Sequence, residues 1–302
     1  MAHEVEGSAA RERRALLESI AYSALIGIVA VAWGLIAQSR VLLFDGVFVL
    51  IGILMSVLAL LAASAAASAP TRRFPFGLQA ATPLALGVQG AALMGTLLYA
   101  SADAVLLIVE GGDDASTTAV LVYGAVSAAW AASVSWRLLR VSRADIVLAE
   151  AAQWRTGGWL SAVIAVGGGV GVALGETSWD GAVPYVDPVL VLLACALAVP
   201  TAVSLLRQSA LELLGASPPR EVQRAIDEVV AAAVTEFSLP EPSVAATKLG
   251  RQLYVDVRFV VADGYDIAQE DRVRHAVIDP LELLDFEVWA NVELTMDPAL
   301  AE

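Results

Sequence analysis

The chain has 302 residues, of which 58% are hydrophobic and 17% charged, more apolar than the roughly 45–50% of an ordinary soluble domain. Its formal net charge is −14 at pH 7, with one cysteine and two histidines. One cysteine excludes an intrachain disulfide and a cysteine-based metal cluster, and the acidic balance speaks against nucleic acid as a partner.

Residues 1–14 (MAHEVEGSAARERR) are polar and read as a short tail in the aqueous phase. No cleavable signal peptide is expected, because the first apolar run is longer than a signal core of about 7–15 residues. A hydrocarbon core about 30 Å thick needs about 20 apolar helical residues, and six stretches between residues 15 and 207 meet this. They are about Ala15 to Ala37, Val41 to Ala63, Ala81 to Val109, Ser116 to Leu139, a fifth ending near Leu174, and Val186 to Leu206. Turn residues separate them at Pro70 to Pro75, Gly111 to Asp114 and Glu176 to Gly181. The run Gly167–Gly171 (GGGVG) lies inside an apolar span. It reads as a close helix–helix contact, and its setting excludes a phosphate loop.

Arginines cluster before span 1 (Arg11, Arg13, Arg14), between spans 2 and 3 (Arg72, Arg73), between 4 and 5 (Arg137, Arg140, Arg143) and after 6 (Arg207). The alternate loops hold Arg40 alone. The positive-inside rule then puts both termini in the cytoplasm of a multi-pass cell-membrane protein.

Residues 208–302 read as a cytosolic α+β domain with eighteen acidic and seven basic residues, a solvated surface rather than a nucleic-acid or anionic-lipid face. REVQRAIDEVVAAAVTEF has helical spacing. A strand near Ser243–Lys248 and the alternating LYVDVRFVV follow, then a helix at about Asp266 to Leu284 and the alternating FEVWANVELTM. The order αββαβ is that of a small ferredoxin-like α+β sandwich. A domain of this size is marginal alone and often dimerises.

Local strings along the chain resemble the cation diffusion facilitator (cation efflux) family. Span 2 is entered through Ser39 and LLFDG with Asp45, the loop between spans 2 and 3 carries FPFGLQAAT (Phe74 to Thr82), span 6 opens YVDPVLVLL with Asp187, and the tail ends LTMDP with Asp297. The resemblance covers about residues 12–299. It implies a homodimeric antiporter that moves a divalent cation such as Zn²⁺, Mn²⁺ or Fe²⁺ as substrate against protons by alternating access, with no resident cofactor assigned.

In that family the ion sits between helices 2 and 5, each giving two ligands at i and i+4, on one helical face. Here Asp45 matches the first position and Val49 the second, while Gln153 and Gly157 fall on the helix 5 positions. One carboxylate and one amide carry too little charge to strip water from Zn²⁺. The transport-site candidates are therefore Asp45, Gln153, Glu150 (three residues before Gln153) and Asp187, with Asp45 as the metal or proton carboxylate because a carboxylate inside a span is a functional candidate. Asp45 also reads as a cap at the outer membrane edge, and Asp187 as an N-cap before Pro188. Hydropathy starts span 5 at about Thr156, leaving Glu150 and Arg155 in a cytosolic amphipathic segment, whereas the resemblance places both inside a longer helix.

The loop histidines of the family correspond to Phe74 and Leu78, and its tail histidines to Arg258 and Thr295, so only Asp297 remains as a metal candidate in the tail. His3 and His275 lie away from these positions. No Ser-His-Asp or Cys-His set is available, so an enzyme is not expected. Two other readings stay open: a non-transporting scaffold or regulator with the same fold, and a transporter of a non-zinc substrate.

Overall fold

The computed structural model describes the backbone of residues 2–141, 145–262 and 264–301. Within these it describes all side chains except those of residues 2–17, 141, 145–150 and 153. Six helices come first: α1 (Ala2–Ala37), α2 (Arg40–Ala66), α3 (Ala81–Glu110), α4 (Thr117–Val141), α5 (Asp145–Gly175) and α6 (Val186–Leu213), the last preceded by a 3-10 helix at Asp180–Tyr185. Each contains a stretch long and apolar enough to cross a membrane. The polar residues from Ala2 onward continue into span 1 as one helix. α5 likewise starts at Asp145, the longer of the two alternatives. Glu150 and Arg155 lower hydropathy but leave the backbone ladder intact, and no proline interrupts it.

Close contacts divide the chain into two units. The first comprises residues through Val57 and Gly90–Val203. Its core gathers Ala30 from α1, Leu42 from α2, Leu97 from α3, Tyr123 from α4, Ile164 from α5 and Cys195 from α6. Large apolar side chains such as Ile36, Leu106, Trp159 and Val166 point outward, the pattern that suits lipid rather than water. α4 and α5 pack backbone to backbone. A Cβ on Gly124 would collide with the Ala165 nitrogen, and one on Gly168 with the Leu121 nitrogen. The close contact read from the GGGVG run is thus made onto α4.

The second unit comprises Leu58–Gln89 and Ser204–Glu302. It holds α7 (Arg220–Phe237), β1 (Ser243–Leu249), β2 (Gln252–Val260), α8 (Ile267–Leu281) and β3 (Glu287–Thr295), the αββαβ order that the periodicity predicts. The sheet order is β1-β2-β3, with β1 and β2 antiparallel and β2 and β3 parallel. The β1–β2 turn uses Gly250 at φ +62°, a conformation that favours glycine in a two-residue hairpin loop.

One face of β2 (Leu253, Val255, Val257, Phe259) is fully buried. It packs with Ile226, Val230 and Ala233 of α7 and Val273, Val277 and Leu281 of α8, which recur at helical spacing. α8 opens with a capping box: Asp266 accepts from the Gln269 nitrogen at 2.7 Å, and Gln269 returns a bond to the Asp266 nitrogen at 2.9 Å. Asp266→Ala is expected to cost about 1 kcal/mol of tail stability and Asp266→Asn much less, read as a shift of the denaturant midpoint of the full-length protein.

Candidate cation site

The amino end of α2 is built before the site itself. Ser39 is its N-cap: the Oγ accepts from the Leu42 nitrogen at 3.3 Å. Asp187, the second residue of α6, then covers the same helix end. Its carboxylate accepts from Ser39 Oγ at 2.5 Å, from the Arg40 nitrogen at 2.7 Å and from the Val41 nitrogen at 3.1 Å. Asp187 is 3% exposed. Of the roles read for it, the structure places it as a cap, but on α2 rather than on its own helix. An anion suits this place because the first N–H groups of a helix lack intrahelical acceptors and carry the positive end of its dipole. Arg40 lies 3.7 Å from Asp103 and 3.8 Å from Asp113, long pairs that contribute little.

Asp45 stands more than a turn further into α2. The next residue, Gly46, lies against α1, where a Cβ would come within 2.7 Å of the Val31 nitrogen. This contact fixes how α2 is rotated. The half-buried Asp45 borders a small cavity of about 20 Å³ with Phe44, Phe48, Leu160, Ile164, Ala194 and Ala198. That volume is on the scale of one water molecule. Across from it, the Tyr123 hydroxyl of α4 donates to Asp45 Oδ2 at 2.6 Å. Tyr123 is 3% exposed, and Ser127, one turn on, is equally buried.

The other candidates are placed as follows. Val49, at the second α2 position, packs on α1, within 3.1 Å of where a Cβ of Gly27 would stand. Gly157 is exposed, with open space around its missing Cβ. The α5 residues that reach the Asp45 cavity are instead Leu160 and Ile164. Glu150 and Gln153 lie on the α5 backbone, but their side chains are outside the described residues, as is that of His3. Arg155 is exposed. Asp45 and Asp187 are not brought together, since Asp187 is committed to the end of α2.

In the tail, Arg258 pairs with Asp256 at 2.6 Å. The Thr295 hydroxyl accepts from the Asp297 nitrogen at 3.1 Å, and Asp297 Oδ1 caps the final 3-10 turn through the Ala299 nitrogen at 3.0 Å. His275 faces Asp279 at 3.1 Å on the exposed side of α8. Among the described residues no group of three His, Cys, Asp or Glu side chains could hold a metal ion. A larger cavity of about 360 Å³ in the second unit includes Arg207, Glu212 and Lys248, of which the last two are paired with each other at 3.0 Å.

Tyr123 is the functional candidate that sequence reasoning passes over. Its signal is a phenol in the apolar run TTAVLVYGAVSAAW, with Ser127 four residues later. A buried tyrosine hydroxyl needs a partner, and inside a bilayer that partner has to come from another helix.

The family model of the cation efflux transmembrane domain matches residues 16–214, more than half of the chain. The chain belongs to the cation efflux family. Its members are cation transporters, and this one is a multi-pass membrane protein with six apolar helices and a small C-terminal α+β domain. No curated protein matches the chain by sequence. In this cation efflux protein α2 carries one aspartate, Asp45, and neither Val49 nor Gly157 has a side-chain donor atom.

Proposed function

We propose that this cation efflux protein exchanges a divalent cation for protons through Asp45, as a homodimer in the cell membrane with both ends and the acidic domain of residues 208–302 in the cytoplasm. The observation that carries the reading is the position of Asp45: a carboxylate inside a span, bordering a cavity between α2, α5 and α6. A carboxylate there is costly unless it is used, and it can take either a cation or a proton. Alternating access would expose it to the two sides in turn. The arginine distribution supports the orientation. Zn²⁺, Mn²⁺ and Fe²⁺ are the substrates the family resemblance suggests.

The apolar α5 residues at the cavity, Leu160 and Ile164, favour a second reading: a member of the fold that has lost transport and serves as a membrane scaffold or regulator. A non-zinc substrate with weaker ligand demands is the intermediate case. The test is uptake by proteoliposomes under an imposed pH gradient, with Zn²⁺, Mn²⁺, Fe²⁺, Co²⁺ and Cd²⁺ in turn. Gradient-driven uptake that disappears in Asp45→Ala supports exchange. Absence of uptake for all five ions supports the scaffold.

A further inference from the structure

We propose that the segment joining α2 and α3 is an interfacial anchor: Arg72 and Arg73 hold the phosphates of anionic lipid headgroups, and Phe74 and Phe76 enter the outer part of the same leaflet. The inference does not involve Asp45 and goes beyond cation transport.

Charge is the first observation. The chain has a net charge of −14, yet no Asp or Glu occurs between Asp45 and Asp103, and Arg72 and Arg73 are the only charged residues in that stretch. Both are exposed, and among the described residues neither pairs with a carboxylate. The second observation is the apolar surface beside them. Phe74 is 42% exposed and Phe76 73%. The Arg73 guanidinium lies 5.7 Å from the centre of the Phe74 ring, so cation and aromatic group are presented together.

Place and order complete the case. α2 and α3 each hold a stretch able to cross a membrane, so residues 67–80 leave and re-enter the bilayer at one face. Gln79 Nε2 donates to the oxygen of Ala66, the last residue of α2, at 3.3 Å, which keeps the segment close to the helix ends. Its tip is preformed. Thr71 and Phe74 exchange backbone hydrogen bonds at 3.0 and 3.1 Å, and the Phe74 oxygen also accepts from the Gly77 nitrogen at 3.1 Å. Arg72 and Arg73 thus stand at the tip of a tight turn, and little order remains to be lost on binding. Gln79 also donates to Glu287 Oε2 of β3 at 3.1 Å, which joins the anchor to the tail.

The bilayer is the occupant these features select. A guanidinium matches a phosphate through two parallel hydrogen bonds. Basic residues at an anionic surface contribute about fivefold each to partitioning, and a basic pair combined with inserted apolar groups supplies the two signals that stable anchoring takes.

The experiment uses the full-length protein with Cys195→Ala and a nitroxide label at Pro75→Cys, which leaves both arginines and both phenylalanines in place. It is reconstituted in phosphatidylcholine alone or in an equal mixture with phosphatidylglycerol, and collisions of the label with oxygen and with a water-soluble nickel chelate are compared. In the mixed bilayer the expected result is a label that meets oxygen more than nickel. The oxygen-to-nickel ratio should fall about fivefold in Arg72→Gln and again in Arg73→Gln, and should fall likewise for the unchanged loop in phosphatidylcholine alone. Phe76→Ser should lower the ratio in both bilayers. Nickel-dominated collisions in both bilayers would place the loop in water and overturn the anchor. A label shielded from both reagents would show a protein surface covering the loop, and would overturn it equally. An oxygen-rich label whose ratio ignores lipid charge and both arginine variants overturns the recognition of anionic headgroups.

Discussion

Asp187→Ala is expected to lower the stability of the membrane helices by about 3–5 kcal/mol. The carboxylate accepts three hydrogen bonds at the end of α2, two from backbone nitrogens and one from Ser39. Alanine leaves those donors buried without acceptors, and each such group costs about 1–3 kcal/mol. The loss of a negative charge at a helix amino end adds up to about 2 kcal/mol in a partly buried setting. Asp187→Asn keeps one acceptor oxygen and should lose roughly half as much. The measurement is unfolding of the purified protein in detergent, followed by tryptophan fluorescence. A loss below about 1 kcal/mol in Asp187→Ala would show that water replaces the carboxylate at no cost.

The second large effect is expected at Gly168. A Cβ there collides with the Leu121 nitrogen and comes within 2.7 Å of its Cα and 3.0 Å of the Thr117 oxygen. Backbone atoms cannot rotate away as a side chain can, so Gly168→Ala forces α4 and α5 apart and should cost about 3 kcal/mol. The adjacent Gly169 is the control. Its Cβ would meet only Leu121 Cδ1 at 3.7 Å, an ordinary contact. Gly169→Ala should be neutral or stabilise by up to about 1 kcal/mol through helix propensity. Equal effects at the two neighbours would contradict backbone-to-backbone packing of α4 on α5.

The spans and the tail elements are legible in the sequence because both are carried by local periodicity. Twenty apolar residues, or alternation such as LYVDVRFVV, specify an element without knowledge of its neighbours. What is not legible depends on contacts between distant segments. Asp187 lies 146 residues from Val41, so the pattern around it shows a possible cap for its own helix and nothing of the end of α2. Tyr123 and Asp45 are 78 residues apart, and only the rotation of α4 brings the phenol to the carboxylate. The start of α5 is obscured for a different reason. Hydropathy responds to the charges of Glu150 and Arg155, whereas helix continuity responds to backbone hydrogen bonding, which those side chains do not interrupt.

Of the ligand positions that the family resemblance implies, Val49 and Gly157 have no side-chain donor atoms to offer an ion. The structure adds where those positions go. Val49 fills space beside Gly27, Gly157 leaves open space, and the cavity at Asp45 meets Leu160 and Ile164 instead. The described surroundings of Asp45 are thus one phenol and apolar walls.

Cation uptake by proteoliposomes of wild type and Asp45→Asn, under a pH gradient and across the five divalent ions, is the most direct measurement. Asp45→Asn preserves size and leaves the Tyr123 hydroxyl an acceptor, so it separates charge from packing. The expected result is uptake of at least one ion by the wild type, driven by the gradient and abolished by Asp45→Asn in a protein of unchanged melting temperature. Uptake that persists in Asp45→Asn, or its absence from folded wild type for every ion, would contradict transport through Asp45.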